Sequence, residues 1–172
     1  MDQVSVVTRY ADTNGVEYTS HYVPSGDVYS LDIKMCKVVR VIALCRGVAI
    51  IVSKNGTQWG HPGGKIERGE SIDQAIIREL LEETNTRPIY ITPLGYQYVT
   101  SEGKEPFYRL RFLCEVEKIG DFAVDPDGEI RFCKEVPLEE LINYVHKDAL
   151  DEYIILQARD ISRERGIMSS RG

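Results

Sequence analysis

Two short runs rich in β-branched and aromatic residues open the chain, Val4–Tyr10 and Val16–Val23, and both predict strands. Between them lies Asp12-Thr13-Asn14-Gly15, where Asn-Gly predicts a two-residue hairpin because both turn positions need positive φ. Pro24-Ser25-Gly26-Asp27 breaks the pattern, so residues 1–35 read as a β-rich N-terminal extension and 36–166 as the main domain. Val38–Leu44 and Val48–Ser53 are continuous apolar runs flanking Arg46-Gly47, a pair of buried strands. Ser71–Thr84 predicts a helix: Ser71 can cap it, no Gly or Pro interrupts, and Ile72, Ile76, Leu80 and Ile77, Leu81 recur at helical spacing. Ile89–Thr100, Phe107–Val116 and Ile130–Val136 read as strands. Pro137 opens a second helix over Leu138–Val145, Ala149–Arg165 forms a third, and 167–172 is a disordered polar tail. This order of elements predicts a mixed α+β fold with a largely non-sequential sheet.

Composition narrows the function classes. The chain has 172 residues, enough for one sizeable core, and a net charge of −6. An acidic chain without a basic tract is a poor partner for nucleic-acid polymers, whereas a small anionic substrate is open to it if bound metal supplies positive charge. The cysteines (Cys36, Cys45, Cys114 and Cys133) form no C-x-x-C pair and have no histidine at ligand spacing, which argues against zinc. Three of them stand in apolar strand runs, as small buried thiols do. No leader-like N-terminus and no membrane-length apolar run is visible, so the expectation is a cytoplasmic protein with no membrane partner.

The chemistry concentrates at 63–83. Glu79, Glu82 and Glu83 stand at i, i+3 and i+4 of the predicted helix, within one arc of about 100°. Like charges at that spacing repel by a few tenths of a kcal/mol. Taken alone, a Glu-Glu pair at a helix end is most often a solvated face, and a glycine loop is most often just a turn. Three carboxylates beside a glycine loop have a better explanation in a hard cation, since Mg²⁺ and Mn²⁺ prefer oxygen ligands. Gly63 and Gly64 let backbone approach the same ion, so a main-chain carbonyl can join the ligands.

The pattern Gly64-x5-Glu70-x7-Arg78-Glu79-Leu80-x-Glu82-Glu83, led by Trp59-Gly60-His61-Pro62-Gly63, resembles the Nudix box of MutT-like pyrophosphohydrolases. Two positions depart from it: Asn85 and Thr86 stand where the box closes with Gly and an aliphatic residue. Asn85 can make the same left-handed turn. The resemblance implies a mixed sheet sandwiched between helices (α/β/α), with the box as loop-helix-loop. It implies that the Gly63 carbonyl, Glu79, Glu82 and Glu83 hold Mg²⁺ or Mn²⁺, and that Glu79 is the best group to orient or deprotonate the attacking water. Glu70 and Arg78 become a structural pair that holds Glu79. A further carboxylate often comes from outside the box; Glu102, Glu105, Asp127 and Glu129 are candidates, and Glu129 is favoured.

The expected reaction is hydrolysis of a diphosphate linkage in a small nucleotide-like substrate, a nucleoside triphosphate first. An ADP-ribose or nucleotide-sugar pyrophosphatase is the alternative, and a non-catalytic nucleotide sensor is a third reading of another class. Alternation along Phe107–Val116 puts Tyr108, Leu110, Phe112 and Cys114 on a core face, and Phe107, Arg109, Arg111 and Leu113 on the other. Arg109 or Arg111 would fork onto substrate phosphate, with Phe107 or Tyr98 stacking on the base; pairing with surface carboxylates is the plainer alternative. The N-terminal hairpin would cover substrate, build a homodimer contact, or simply add strands to the sheet.

Overall fold

The computed structural model describes residues 6–125, 128–145 and 148–167. Val4, Asp127 and residues 168–172 of the expected tail lie outside the described residues. The strands are β1 (Val6–Ala11), β2 (Glu17–Pro24), β3 (Cys36–Cys45), β4 (Val48–Ser53), β5 (Thr86–Thr100), β6 (Phe107–Lys118) and β7 (Phe132–Pro137). Helix α1 (Ile72–Thr84) precedes β5, and a 3-10 helix (Leu138–Asn143) and α2 (Ala149–Glu164) follow β7. The strands form one sheet in the order β1-β2-β5-β6-β3-β4-β7. The β3–β6 pairing is parallel and the others are antiparallel.

The two N-terminal strands continue this sheet, because β2 pairs with β5 from Thr19↔Thr100 to Pro24↔Gly95. Their turn is not the expected two-residue one. Asn14 keeps negative φ; only Gly15 is left-handed, at φ 78°. Asp12 closes a wider loop instead, its carboxylate accepting from the amides of Asn14 and Val16, both at 2.9 Å. The two-residue hairpin lies at Arg46-Gly47, where both φ are positive, 52° and 81°.

Alternation on β3 feeds two cores. Val39, Val41 and Ala43 pack with Leu110, Phe112 and the inner face of α1, through Ile72, Ala75, Ile76 and Leu80. Ile42 and Leu44 pack on the opposite face with Leu113, Tyr22, the 3-10 helix and α2. Leu113 is thus core as well, so both faces of β6 are covered along part of its length. The fold is the expected α+β sandwich of a mixed sheet between helices.

Helix α1 starts as its sequence predicts. The Ser71 side chain accepts from the Gln74 amide and the Gln74 side chain from the Ser71 amide, a reciprocal capping box. It ends at Asn85, whose φ of 50° makes the left-handed cap that glycine would otherwise supply. Thr86 is fully buried, its hydroxyl 2.7 Å from that of Thr84. Ile77 and Leu81 depart from expectation. They are 45% and 47% exposed, and the buried stripe runs through Ile72, Ala75, Ile76, Leu80 and then Glu79 and Glu83. The last strand starts at Phe132 rather than Ile130, and the expected second helix is the 3-10 turn, ending at Asn143 instead of Val145.

Candidate active site

The loop 60–65 is drawn onto the sheet by its own backbone. Val39 N–H donates to Gly64 O and Val41 N–H to Pro62 O, each at 2.9 Å, so the loop lies along β3 beside α1. Gly63 has φ 129°, and a Cβ there would strike the Val39 carbonyl, so only glycine permits this approach. A Cβ at Gly64 would land on the Glu79 carboxylate.

Arg78 organises the box. Its Nε and Nη2 donate to the two carboxylate oxygens of Glu70 at 2.8 and 3.0 Å, a bidentate fork. Nη2 also donates to Lys65 O, and Nη1 donates to Glu79 at 2.9 Å and Glu82 at 3.3 Å. The Glu70–Arg78 pair expected from sequence is therefore present, and it reaches Glu79 directly. Glu83 takes a different anchor, accepting the Gly63 amide at 2.7 Å.

Burial sets the electrostatics. Glu79 and Glu83 are only 8% and 9% exposed. Withdrawal from water raises both carboxyls, Glu83 to about 7, with the neighbouring Glu79 charge pushing the same way. Arg40, on the cleft face of β3, donates to the Gly63 carbonyl, and burial lowers its guanidinium. Burial also pushes Arg111 down to about 10, helped by the charge of Arg109.

These groups open onto a cleft of about 1220 Å³. Arg109 and Arg111 line it, as do Gly63, Glu79, Glu82, Glu83 and Glu129. Tyr98 and Phe107 do not. Tyr98 packs on Tyr108 at 5.6 Å between ring centroids, on the sheet face that carries α1. The two arginines have no carboxylate within ion-pair distance among the described residues. Arg111 donates to Gln97 at 2.9 Å, and Arg109 to the Tyr10 hydroxyl at 3.1 Å.

The out-of-box candidates separate. Glu102 and Glu105 lie away from this cleft. Glu129 reaches its wall but is exposed and pairs with Lys54 at 2.6 Å. Asp125 is buried, lines the cleft and raises Glu83 electrostatically. It was missed because Asp125-Pro126-Asp127-Gly128 reads as an ordinary turn. Arg40 was missed too, although a charge inside an apolar strand run is a usable signal. His61 stands in the lead-in to the box, but nothing in the sequence pairs its buried side chain with Asp151, whose carboxylate lies 3.4 Å from Nε2.

The donor set suits a hard divalent cation, with buried carboxylates and a glycine carbonyl on one surface and every donor an oxygen. Among the described residues no three acidic, His or Cys side chains are grouped as an ion cage; Arg78 engages Glu79 and Glu82, and Arg40 engages Gly63 O.

A family model for the NUDIX domain matches residues 37–157, most of the chain. The protein belongs to the Nudix family. Nudix hydrolase 6 of Arabidopsis thaliana is 30% identical over 49% of this chain and 30% of its own length. The phosphatase NudJ of Escherichia coli K12 is 33% identical over 49% of this chain and 54% of its own. The chain thus spans well under two thirds of these relatives. Among solved structures, the Bacillus subtilis pyrophosphohydrolase BsRppH superposes with a TM-score of 0.66 at 23% identity, covering 90% of this chain and 97% of that one. An ADP compounds hydrolase superposes with a TM-score of 0.59 at 14% identity over 98% of both chains. These likenesses establish the Nudix fold. No helix among the described residues is long and apolar enough to cross a membrane.

Proposed function

We propose that this Nudix protein hydrolyses a diphosphate linkage in a nucleoside diphosphate linked to a further group, a nucleoside triphosphate first. The observation that carries this reading is the meeting of buried Glu79 and Glu83 with Arg40, Arg109 and Arg111 in one cleft. Carboxylates alone would repel a diphosphate, and arginines alone would bind without cleaving it. Together they suit a polyanion whose scissile end is neutralised by metal.

Gly63 O, Glu79, Glu82 and Glu83 would hold Mg²⁺ or Mn²⁺, with Glu129 or Asp125 as the outer carboxylate. When bound, such an ion offsets phosphate charge and acidifies water. Glu79 accepts the proton of the attacking water or orients it, and Arg78 keeps its carboxylate aimed. Arg109 and Arg111 grip phosphate oxygens.

An ADP-ribose or nucleotide-sugar hydrolase is the second reading. The cleft wall built by β1 favours it, as does the full-length superposition on an ADP compounds hydrolase. Four free thiols fit a reducing compartment, so we place the reaction in the cytoplasm. The test is product release from nucleoside triphosphates, ADP-ribose and nucleotide sugars, with Mg²⁺, Mn²⁺ or EDTA. Metal-dependent turnover of a triphosphate is expected. Binding without turnover across the panel would replace hydrolysis with a sensor role.

A further inference from the structure

Arg109 ends on a residue that the family model does not cover. That model begins at residue 37, whereas Tyr10 stands on β1. Even so, Tyr10 lines the same cleft as the glutamates. Its hydroxyl accepts from Arg109 Nη2 at 3.1 Å, and the guanidinium carbon lies 5.5 Å from the ring centroid. The ring is itself held. It stacks on Tyr18 at 5.3 Å and 15°, and the Tyr18 hydroxyl accepts from Lys104 at 2.8 Å.

Arg109 has unspent capacity. Its Nε is buried and has no hydrogen-bond partner, and among the described residues it makes no ion pair. Because Arg109 lines the open cleft and no carboxylate among the described residues neutralises it, its guanidinium suits an incoming anion. Strand register says where that anion lies. Arg40 is opposite Arg111 and reaches the Gly63 carbonyl beside Glu83, so it marks the carboxylate end of the row. Arg109 is opposite Gln97 and reaches Tyr10, so it marks the hairpin end.

We propose that Tyr10 is a positioning residue that holds Arg109 to receive the phosphate of a nucleoside triphosphate farthest from the metal-binding carboxylates. This rests on the proposed hydrolase reading. It also makes the N-terminal hairpin a determinant of substrate choice, through one hydroxyl and one ring.

Tyr10→Phe keeps the ring and removes the acceptor. The experiment measures ATP hydrolysis with Mg²⁺, and calorimetric binding of ATP and of AMP in EDTA, for the wild type, Tyr10→Phe, Arg109→Lys and the double variant. One charge-assisted hydrogen bond predicts about a tenfold rise in KM and in Kd for ATP in Tyr10→Phe. Expected alongside are an unchanged kcat, unchanged AMP binding, an unmoved melting temperature, and a double variant no worse than Arg109→Lys alone. Normal ATP binding by Tyr10→Phe, an equal loss for AMP, or penalties that add in the double variant would each overturn the proposal. A wild type that neither binds nor cleaves ATP sinks the triphosphate reading itself, and that is read before any variant is made.

Discussion

The amide of Gly63 donates to the Glu83 carboxylate at 2.7 Å, which ties the glycine loop to the far turn of α1 and buries that carboxylate against it. The same contact partly offsets the burial that lifts Glu83 to about 7. An ordinary glutamate has a value of 4.5, so the folded chain holds a proton there that the unfolded chain releases. The stability due to Glu83 is therefore full below about pH 4.5 and is lost as pH rises through about 7. Metal-free melting of Glu83→Gln and wild type should diverge over that window, with the variant flatter. Parallel curves would mean that Glu83 ionises normally.

Glu79→Gln and Glu82→Gln should each lower kcat on the order of 10²-fold or more while the melting temperature stays close to wild type. Removing carboxylate repulsion can even raise it slightly in metal-free buffer. Full activity in either variant would remove that residue from the site.

Arg78→Lys should damage both folding and turnover, because a point charge cannot reproduce the fork on Glu70 and still reach Glu79. Losing these partly buried bonds costs about 1–3 kcal/mol, or a few degrees of melting temperature in a chain of this size. Calorimetry and kinetics together test it: a loss in activity alone would mean that Arg78 only positions Glu79.

Gly63→Ala and Gly64→Ala should separate by mechanism. At 63 the positive φ and the Val39 carbonyl make any side chain a folding defect, on the order of 1–3 kcal/mol. At 64 the obstacle is the Glu79 carboxylate, so activity should fall more than stability. The opposite order in paired melting and rate measurements would refute this division.

Local chemistry made α1 legible in the sequence. Its cap, its length and its left-handed end at Asn85 depend on residues within a few positions of one another. The box carboxylates were legible for the same reason. What stayed hidden depends on distant chain segments meeting. Ile77 and Leu81 keep the helical period, yet the sheet covers only one side of α1. Tyr98 and Phe107 look like base-stacking rings until strand pairing turns Tyr98 onto Tyr108 and leaves Phe107 off the cleft. Asn14-Gly15 has the composition of a tight turn, but the Asp12 carboxylate captures its amides and widens it.

The N-terminal hairpin supplies a last test, since its strands look separable in sequence but are bound into the sheet. Tyr22 is fully buried against Leu44, Leu94 and the α2 face, and its hydroxyl donates to Gln157 at 2.8 Å. Beside it, Ser20 accepts from Gln97, which in turn accepts from Arg111 in the cleft. A chain starting at Asp32 would lose Tyr22 and Ser20, leave the Gln97 side chain that meets Arg111 without its Ser20 partner, and expose β5 as an open edge. Removing one large buried aromatic costs about 3–5 kcal/mol, a large part of a typical domain's stability. Such a chain should therefore aggregate or melt far earlier than the full protein, and any soluble fraction should bind ATP weakly through a loosened Arg111. If it is instead folded, monomeric and fully active, the hairpin is dispensable, and neither Tyr22 nor Tyr10 has the role its contacts imply.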